Sequence, residues 1–255
     1  MKNVRKALHG LLGLLIGLSW LGAAAWAEPV LDDSQTWQIG VLRGHVTDRV
    51  LWYLDTQNNE VNLPGQPGRS ARDPDNNHFT HEGQLLVRPA LGYQLNKTVS
   101  VWQGYGWTPA YQPQFRNENQ IWEQVLLQKN FKHLNLSNRT RLEIRRIQDA
   151  QGTALRIRDQ LRAAVPLGKT QWSLVAYDEP FFNLNSVQDG PRSGFNQNWA
   201  FLGINRKITN HVNAEVGYLN NYVRNFRPVP DRMNHVIMFS LNINLDWKAL
   251  HKTLK

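Results

Sequence analysis

Three arginines and a glutamate occupy every second position from Arg139 to Arg145: Arg139, Arg141, Glu143 and Arg145. A second stretch repeats the spacing with Arg156, Arg158, Gln160 and Arg162. Side chains two residues apart on an extended backbone share one face, so each stretch presents a row of guanidinium groups. Such rows can do two kinds of chemistry. They can bridge to facing carboxylates and hold a wall together, or they can line an anion path in the way that rings of charged side chains select ions. Arg88, Glu118, Glu179 in Asp178-Glu179-Pro180, and Glu215 between Ala214 and Val216 are further candidates of the same sense.

Linear signatures of catalysis are thin. His78-x-x-His81-Glu82 is a local histidine and acid cluster, but it lacks the spacing of either zinc-protease helix motif. Two histidines three apart in a loop read first as solvated side chains. No Gly-x-Ser-x-Gly elbow occurs, and Ser193 in Pro191-Arg192-Ser193-Gly194 is a loop serine. A Ser, a His and an acid gathered from neighbouring strands would leave no linear trace. An enzyme acting on lipid or lipopolysaccharide therefore stays as an alternative, with no catalytic residue, metal or cofactor assigned.

The elements that position the charged rows follow from the same alternation. In the first, Asn135, Ser137 and the charged residues alternate with Leu134, Leu136, Asn138, Thr140, Leu142 and Ile144; in the second the arginines face away from Leu155, Ile157, Leu161, Ala163 and Val165. A period of two means a β-strand. These strands run to about 12 residues, where soluble ones usually have five or six and a tilted membrane-spanning strand needs about 9 to 11. Further strands are expected over Thr36–Leu42, Asp48–Gln57, Thr80–Leu95, Thr98–Trp107, Asn117–Lys129, Gln171–Phe181, Asn198–Ile208, His211–Arg224 and Met233–Trp247. Glu82, Gln84, Arg88 and Gln94 fall on one face, and Leu85, Val87, Leu91, Tyr93 and Leu95 on the other. Around Trp122 the facing stays open, because Trp122 shares a row with Gln120 and Gln124 while Glu123 shares one with Ile121 and Val125.

The connections alternate in length. Arg43–Thr47, Asn96-Lys97, Asn130–His133, Gly168–Thr170 and Thr209-Asn210 are tight, and between them fall polar links at Asn58–Phe79, Thr108–Arg116, Gln148–Gly152, Phe182–Gln197 and Asn225–Arg232. Short on one side and long on the other is the plan of an outer-membrane barrel, with periplasmic turns and external loops. The fold expected is all-β, an antiparallel up-and-down transmembrane β-barrel of about 10 to 12 strands. Bacterial single-chain barrels usually have an even number, so either Thr36–Leu42 is not a wall strand, or a short strand near Val30–Ser34 completes twelve.

The N-terminus fits this plan. Lys2, Arg5 and Lys6 precede an apolar stretch from Ala7 to Leu21 and the small-residue pattern Ala25-Trp26-Ala27, which reads as a signal peptide over 1–27. One barrel domain is expected over 28–255, its wall at about 36–247 and a short tail at 248–255. The chain has no Cys, hence neither a disulfide nor a lipoprotein anchor. It has no apolar run near 18 residues, which excludes a helical membrane protein. The formal net charge is +9, or +6 without the three basic residues of the leader. Arginines spread along strands, in an exported chain, argue against nucleic acid. Ten Trp and seven Tyr suit aromatic girdles at two membrane interfaces. The last strand sets His235, Ile237, Phe239, Leu241, Ile243, Leu245 and Trp247 on one side, a pattern like the C-terminal assembly signal of outer-membrane proteins, except that eight residues follow the Trp.

A series of motifs extends this reading. Arg88-Pro89-x-x-Gly92-Tyr93, Gly104-Tyr105, Glu118-Asn119-x-Ile121-Trp122, Arg139-x-Arg141-Leu142-Glu143-x-Arg145, Arg156-x-Arg158 and Asp178-Glu179-Pro180-Phe181-Phe182-Asn183 are followed by Asn196-Gln197-Asn198, Phe201-Leu202-Gly203 and Glu215-x-Gly217-Tyr218. In this order they resemble the exported bacterial family catalogued as domain of unknown function 2490, from Trp37 to Leu245. Other members often carry Arg where this chain has Gln120 and Trp199. The resemblance implies an outer-membrane β-barrel of roughly this size, with no established activity or ligand.

Ten residues are then expected to line the lumen: Arg88, Glu118, Arg139, Arg141, Glu143, Arg145, Arg156, Arg158, Glu179 and Glu215. A barrel of this size is narrow, so the first expectation is a bridged polar interior with a structural role. A small anion-preferring pore is the second, and a soluble periplasmic ligand-binding barrel is a further alternative. Expected partners are outer-membrane lipids and lipopolysaccharide, with the barrel-assembly machinery during insertion.

Overall fold

The computed structural model describes residues 30–61, 81–111, 115–226 and 228–245. They form eleven strands: β1 (Val30–His45), β2 (Val50–Val61), β3 (His81–Gln94), β4 (Val99–Ala110), β5 (Arg116–Asn130), β6 (Asn135–Ile147), β7 (Ala154–Pro166), β8 (Trp172–Asn183), β9 (Gly194–Lys207), β10 (Val212–Val223) and β11 (Asp231–Asn244). Each pairs with its sequence neighbours, and β1 pairs with β11 to close the barrel. The signal peptide, the C-terminal tail and Trp247 lie outside the described residues.

Neither remedy for the odd strand count is used. The segment near Val30 is continuous with the first strand, and eleven strands close by one parallel pairing that runs from Val30↔Asp231 to Arg43↔Asn244. Ten reversals, an even number, separate the first strand from the eleventh, so the two run the same way, and a parallel ladder still satisfies their backbone groups.

Local chemistry sets the tight turns. Thr47 Oγ1 accepts hydrogen bonds from the amides of Arg49 and Val50 at 3.3 and 3.0 Å, Asn96 Oδ1 from those of Thr98 and Val99 at 2.8 and 3.0 Å, and Thr209 Oγ1 from those of His211 and Val212 at 3.1 and 3.0 Å. Short polar side chains that cap the amides two or three residues on are the usual way to reverse a chain sharply. Gly168, at φ 65°, supplies the left-handed residue between β7 and β8. The other ends of the strands carry the longer links.

The outward row is apolar: Leu91, Ile121, Val125, Leu142, Ile144, Leu202, Ile237, Phe239 and Leu241 are all exposed. Carboxylates interrupt it, and two of them are held by neighbouring side chains. Asp159 accepts from Asn138 Nδ2 at 2.9 Å and Thr140 Oγ1 at 2.5 Å, and Asp178 accepts from Asn198 Nδ2 at 2.8 Å. Two facings differ from, or complete, the alternation. The register shifts between Asn59 and Glu60 opposite Gly83, so Glu82 is exposed rather than aligned with the buried Arg88; a bulge of one residue inverts the row beyond it. At β5 the ambiguity resolves with Trp122 inside and Glu123 exposed.

Candidate functional site in the lumen

The interior divides into two halves of different chemistry. On β2 to β8 lies an ion-paired lattice. Arg88 donates to both carboxylate oxygens of Asp55 at 2.9 and 2.7 Å, and Arg145 likewise to Glu118 at 2.7 Å twice. Glu143 receives Arg156 at 2.6 Å and Arg158 at 3.4 Å. Glu179 receives Arg139 at 2.6 Å, Arg158 at 2.7 Å and Gln160 at 2.9 Å. Glu143 and Glu179 are both 0% exposed. A carboxylate so placed is tolerated only because guanidinium groups fill its lone pairs, and the planar two-pronged donor of arginine does this at strand spacing.

The remaining two candidates sit at the edges of this lattice. Glu215 accepts from Arg162 at 2.5 Å and from Asn205 at 3.3 Å, linking β7 to β10 across the lumen. Arg141, 1% exposed, makes no ion pair among the described residues. Its guanidinium lies 4.0 Å from the Trp122 ring and donates twice to Gln124 Oε1, at 3.0 and 2.7 Å, while its Nη1 has no partner.

On β7 to β11 and β1 lies an apolar plug of Trp37, Ala164, Val175, Tyr177, Phe201, Leu219, Val236 and Met238. Tyr177 stacks on Phe201 at 4.8 Å, and Trp37 meets Trp199 edge-on at 5.0 Å. The two halves join at Arg158, whose guanidinium carbon lies 4.1 Å from the Phe181 ring and 4.9 Å from that of Trp199.

Toward the long-link end the filling stops. A cavity of about 310 Å³ is lined by residues from all eleven strands, among them Gln35, Trp37, Gln57, Arg88, Gln120, Arg156, Trp199, Asn221 and Asn234. The lattice and the plug form its floor.

Residues that the alternation did not single out complete this interior. Asp55, the partner of Arg88, sits in a β2 row that mixes Leu51, Tyr53 and Gln57, so only the pairing register with β3 reveals it. The plug was equally hidden, because β8 carries apolar residues on both faces. Of the histidine cluster, His78 lies outside the described residues, and no group of three or more His, Cys, Asp or Glu among the described residues could hold a metal ion.

On the outer wall a second constellation appears. His235 shares a 2.6 Å hydrogen bond with the Tyr218 hydroxyl through Nδ1 and lies 3.3 Å from Asp32 through Nε2. All three side chains are exposed.

Residues 34–234 match the model of a family described as a protein of unknown function, DUF2490. An uncharacterized protein of Methylorubrum extorquens is 32% identical over 209 residues, covering 80% of this chain and 84% of that one. Among solved structures, LpxR from Salmonella typhimurium aligns over 76% of this chain and 83% of its own, with a TM-score of 0.43 and 7% identity.

Proposed function

The chain belongs to the DUF2490 family, and on that premise we propose that it is a non-conducting outer-membrane β-barrel whose lumen serves as a structural core. The reading rests on one observation above the others. Arg158 is held by Glu179 and Glu143 on one side and by Phe181 and Trp199 on the other, so one buried side chain joins the charged lattice to the apolar plug. The leader-like N-terminus, the exposed apolar row and strands of 12 to 16 residues support placement in the membrane. Tight turns then face the periplasm and long links the exterior, with lipid and lipopolysaccharide around the wall after insertion by the barrel-assembly machinery.

Single-channel recording tests this. Folded protein in a planar bilayer is expected to give no current steps; stepwise current with anion selectivity would replace the structural reading with the pore. Fractionation tests the placement separately. A mature chain that stays soluble without detergent would move the barrel to the periplasm.

One observation favours a second reading, an outer-membrane lipid hydrolase. In the chain Asp32, His235 and Tyr218 an acid orients an imidazole that faces a hydroxyl, the order of groups needed to activate a nucleophile. Tyr218 would attack an ester carbonyl, its proton passing to His235 and then to the leaving alcohol, and water would release the acid from the acyl-tyrosine. Fatty-acid release from phospholipid or lipopolysaccharide micelles that is lost in His235→Ala would support it; no release by the wild type would end it.

A further inference from the structure

The geometry points to a saccharide-binding site in the lumenal cavity at the long-link end, selective for neutral, hydroxyl-rich sugar units. Five polar atoms on its wall have no partner: Thr108 Oγ1, Gln120 Oε1, Asn221 Oδ1, Asn234 Oδ1 and Trp199 Nε1. Thr108, Gln120, Asn221 and Asn234 are each more than nine-tenths buried. Buried polar atoms are nearly always satisfied, and five orphans around one cavity describe the complement of a polar guest. They come from β4, β5, β9, β10 and β11, five strands that border the one cavity.

The class of guest follows from which atoms are free. Most charged groups of the wall are already spent on each other, as Arg88 with Asp55, Arg145 with Glu118, and Arg156 with Glu143, and the remaining Arg232 and Asp33 are opposite in sign. What stays available is neutral. Amide and hydroxyl groups both donate and accept, as sugar hydroxyls do, whereas phosphate or sulfate would need unpaired cations. The partly buried indole of Trp199 adds a flat apolar surface beside these groups, suited to the C–H side of a pyranose. A volume of about 310 Å³ is at the small end of ligand sites, which run from about 300 to 1,000 Å³. It suits one or two sugar residues, not an acyl chain.

The test uses the whole mature protein in a sugar-free detergent, titrated calorimetrically with glucose, galactose, N-acetylglucosamine and their disaccharides, with octyl glucoside, and with inorganic phosphate. At least one neutral sugar is expected to bind in the millimolar range or tighter. Gln120→Leu and Asn221→Leu should each weaken it by roughly tenfold, the loss of one well-made hydrogen bond. Both variants should fold, since each removes an orphan acceptor, and unchanged heat-modifiable mobility checks this. Trp199→Phe keeps the ring and loses only the N–H, and should weaken binding less than Trp199→Ala. Binding of octyl glucoside without glucose assigns the source to a glycolipid headgroup, and binding of both assigns it to free saccharide. Three results would overturn the proposal: no heat with any sugar up to about 10 mM, sugar binding that neither Leu variant weakens, or phosphate displacing the sugar. None of these outcomes bears on whether the barrel conducts.

Discussion

Arg158 stacks its guanidinium 4.1 Å from the ring of Phe181 while its Nε donates to Glu179 at 2.7 Å. The two contacts use different parts of one group: the π-face meets the aromatic, and the in-plane donors meet the carboxylate. An arginine can therefore belong to an apolar plug and an ion-paired lattice together, which a lysine ammonium, with no flat face, cannot. This is how the two chemically different halves of the barrel interior are joined through one side chain.

Glu143 carries the most exacting part of that lattice, accepting from Arg156 and Arg158 while fully buried. Glu143→Gln keeps the shape and removes the charge, leaving two guanidinium groups short of compensation. Breaking a buried pair from one side costs about 3 to 5 kcal/mol. Glu118→Gln, whose side chain is 16% exposed beside Arg145, should cost clearly less, because water can reach the stranded cation. Thermal unfolding of the two variants in detergent decides it. Equal melting temperatures would mean that the lattice does not hold the wall.

What the sequence makes legible depends on how strictly a row alternates. Arg139 to Arg145 can be read directly, because no bulge interrupts β6 and its outward partners are mostly apolar. Arg88 can be read as an inward candidate, but not its partner, since Asp55 is chosen by register and register has no local signature. Glu82 shows the opposite failure: the irregularity at Gly83 turns it outward although the count of residues places it with Arg88. The plug is hidden for a different reason. A strand that is apolar both inside and outside, as Val175, Ala176 and Tyr177 are, has no period to detect.

Gly104 lies where Trp122 crosses the lumen, and a Cβ at Gly104 would overlap the indole and crowd Ala90. Gly104→Ala therefore forces the ring off its seat against Arg141. Overpacking of this kind costs about 1 to 3 kcal/mol. The double variant Gly104→Ala with Trp122→Leu should recover part of the loss, because the clash is specific to the indole. Melting curves of the single and double variants give the coupling. Additive losses would mean that the glycine answers to the backbone alone.

The absence of cysteine makes the parallel seam testable by crosslinking. Thr36 stands opposite Ile237, and both face outward. Thr36→Cys with Ile237→Cys should form a disulfide under mild oxidation, because directly paired positions bring the two thiols within reach. Thr36→Cys with Leu241→Cys should not, since a four-residue offset separates them by about 13 Å along the strand. A gel shift of the oxidised, denatured chain reads the result. The reverse pattern would show that β1 and β11 are not paired in this register.

Arg141 separates the worth of a buried charge from that of its partner. It is as buried as Glu143, yet among the described residues it has no carboxylate, only Gln124 and the face of Trp122, and its Nη1 is an orphan. Arg141→Met keeps the length and the apolar contact with the indole. It removes a desolvated cation and an unmet donor, each a cost of about 1 to 3 kcal/mol, against the loss of the bonds to Gln124 and of some attraction toward Glu143. The terms are of similar size, so the variant should melt within about 1 kcal/mol of the parent. Arg156→Met exposes the asymmetry. It strips Glu143 of its shorter ion pair at 2.5 Å and leaves a buried carboxylate undersupplied, so it should cost about 3 kcal/mol or more. If instead Arg141→Met proves as damaging as Arg156→Met, the spare guanidinium is balanced by a group that the ion pairs do not include.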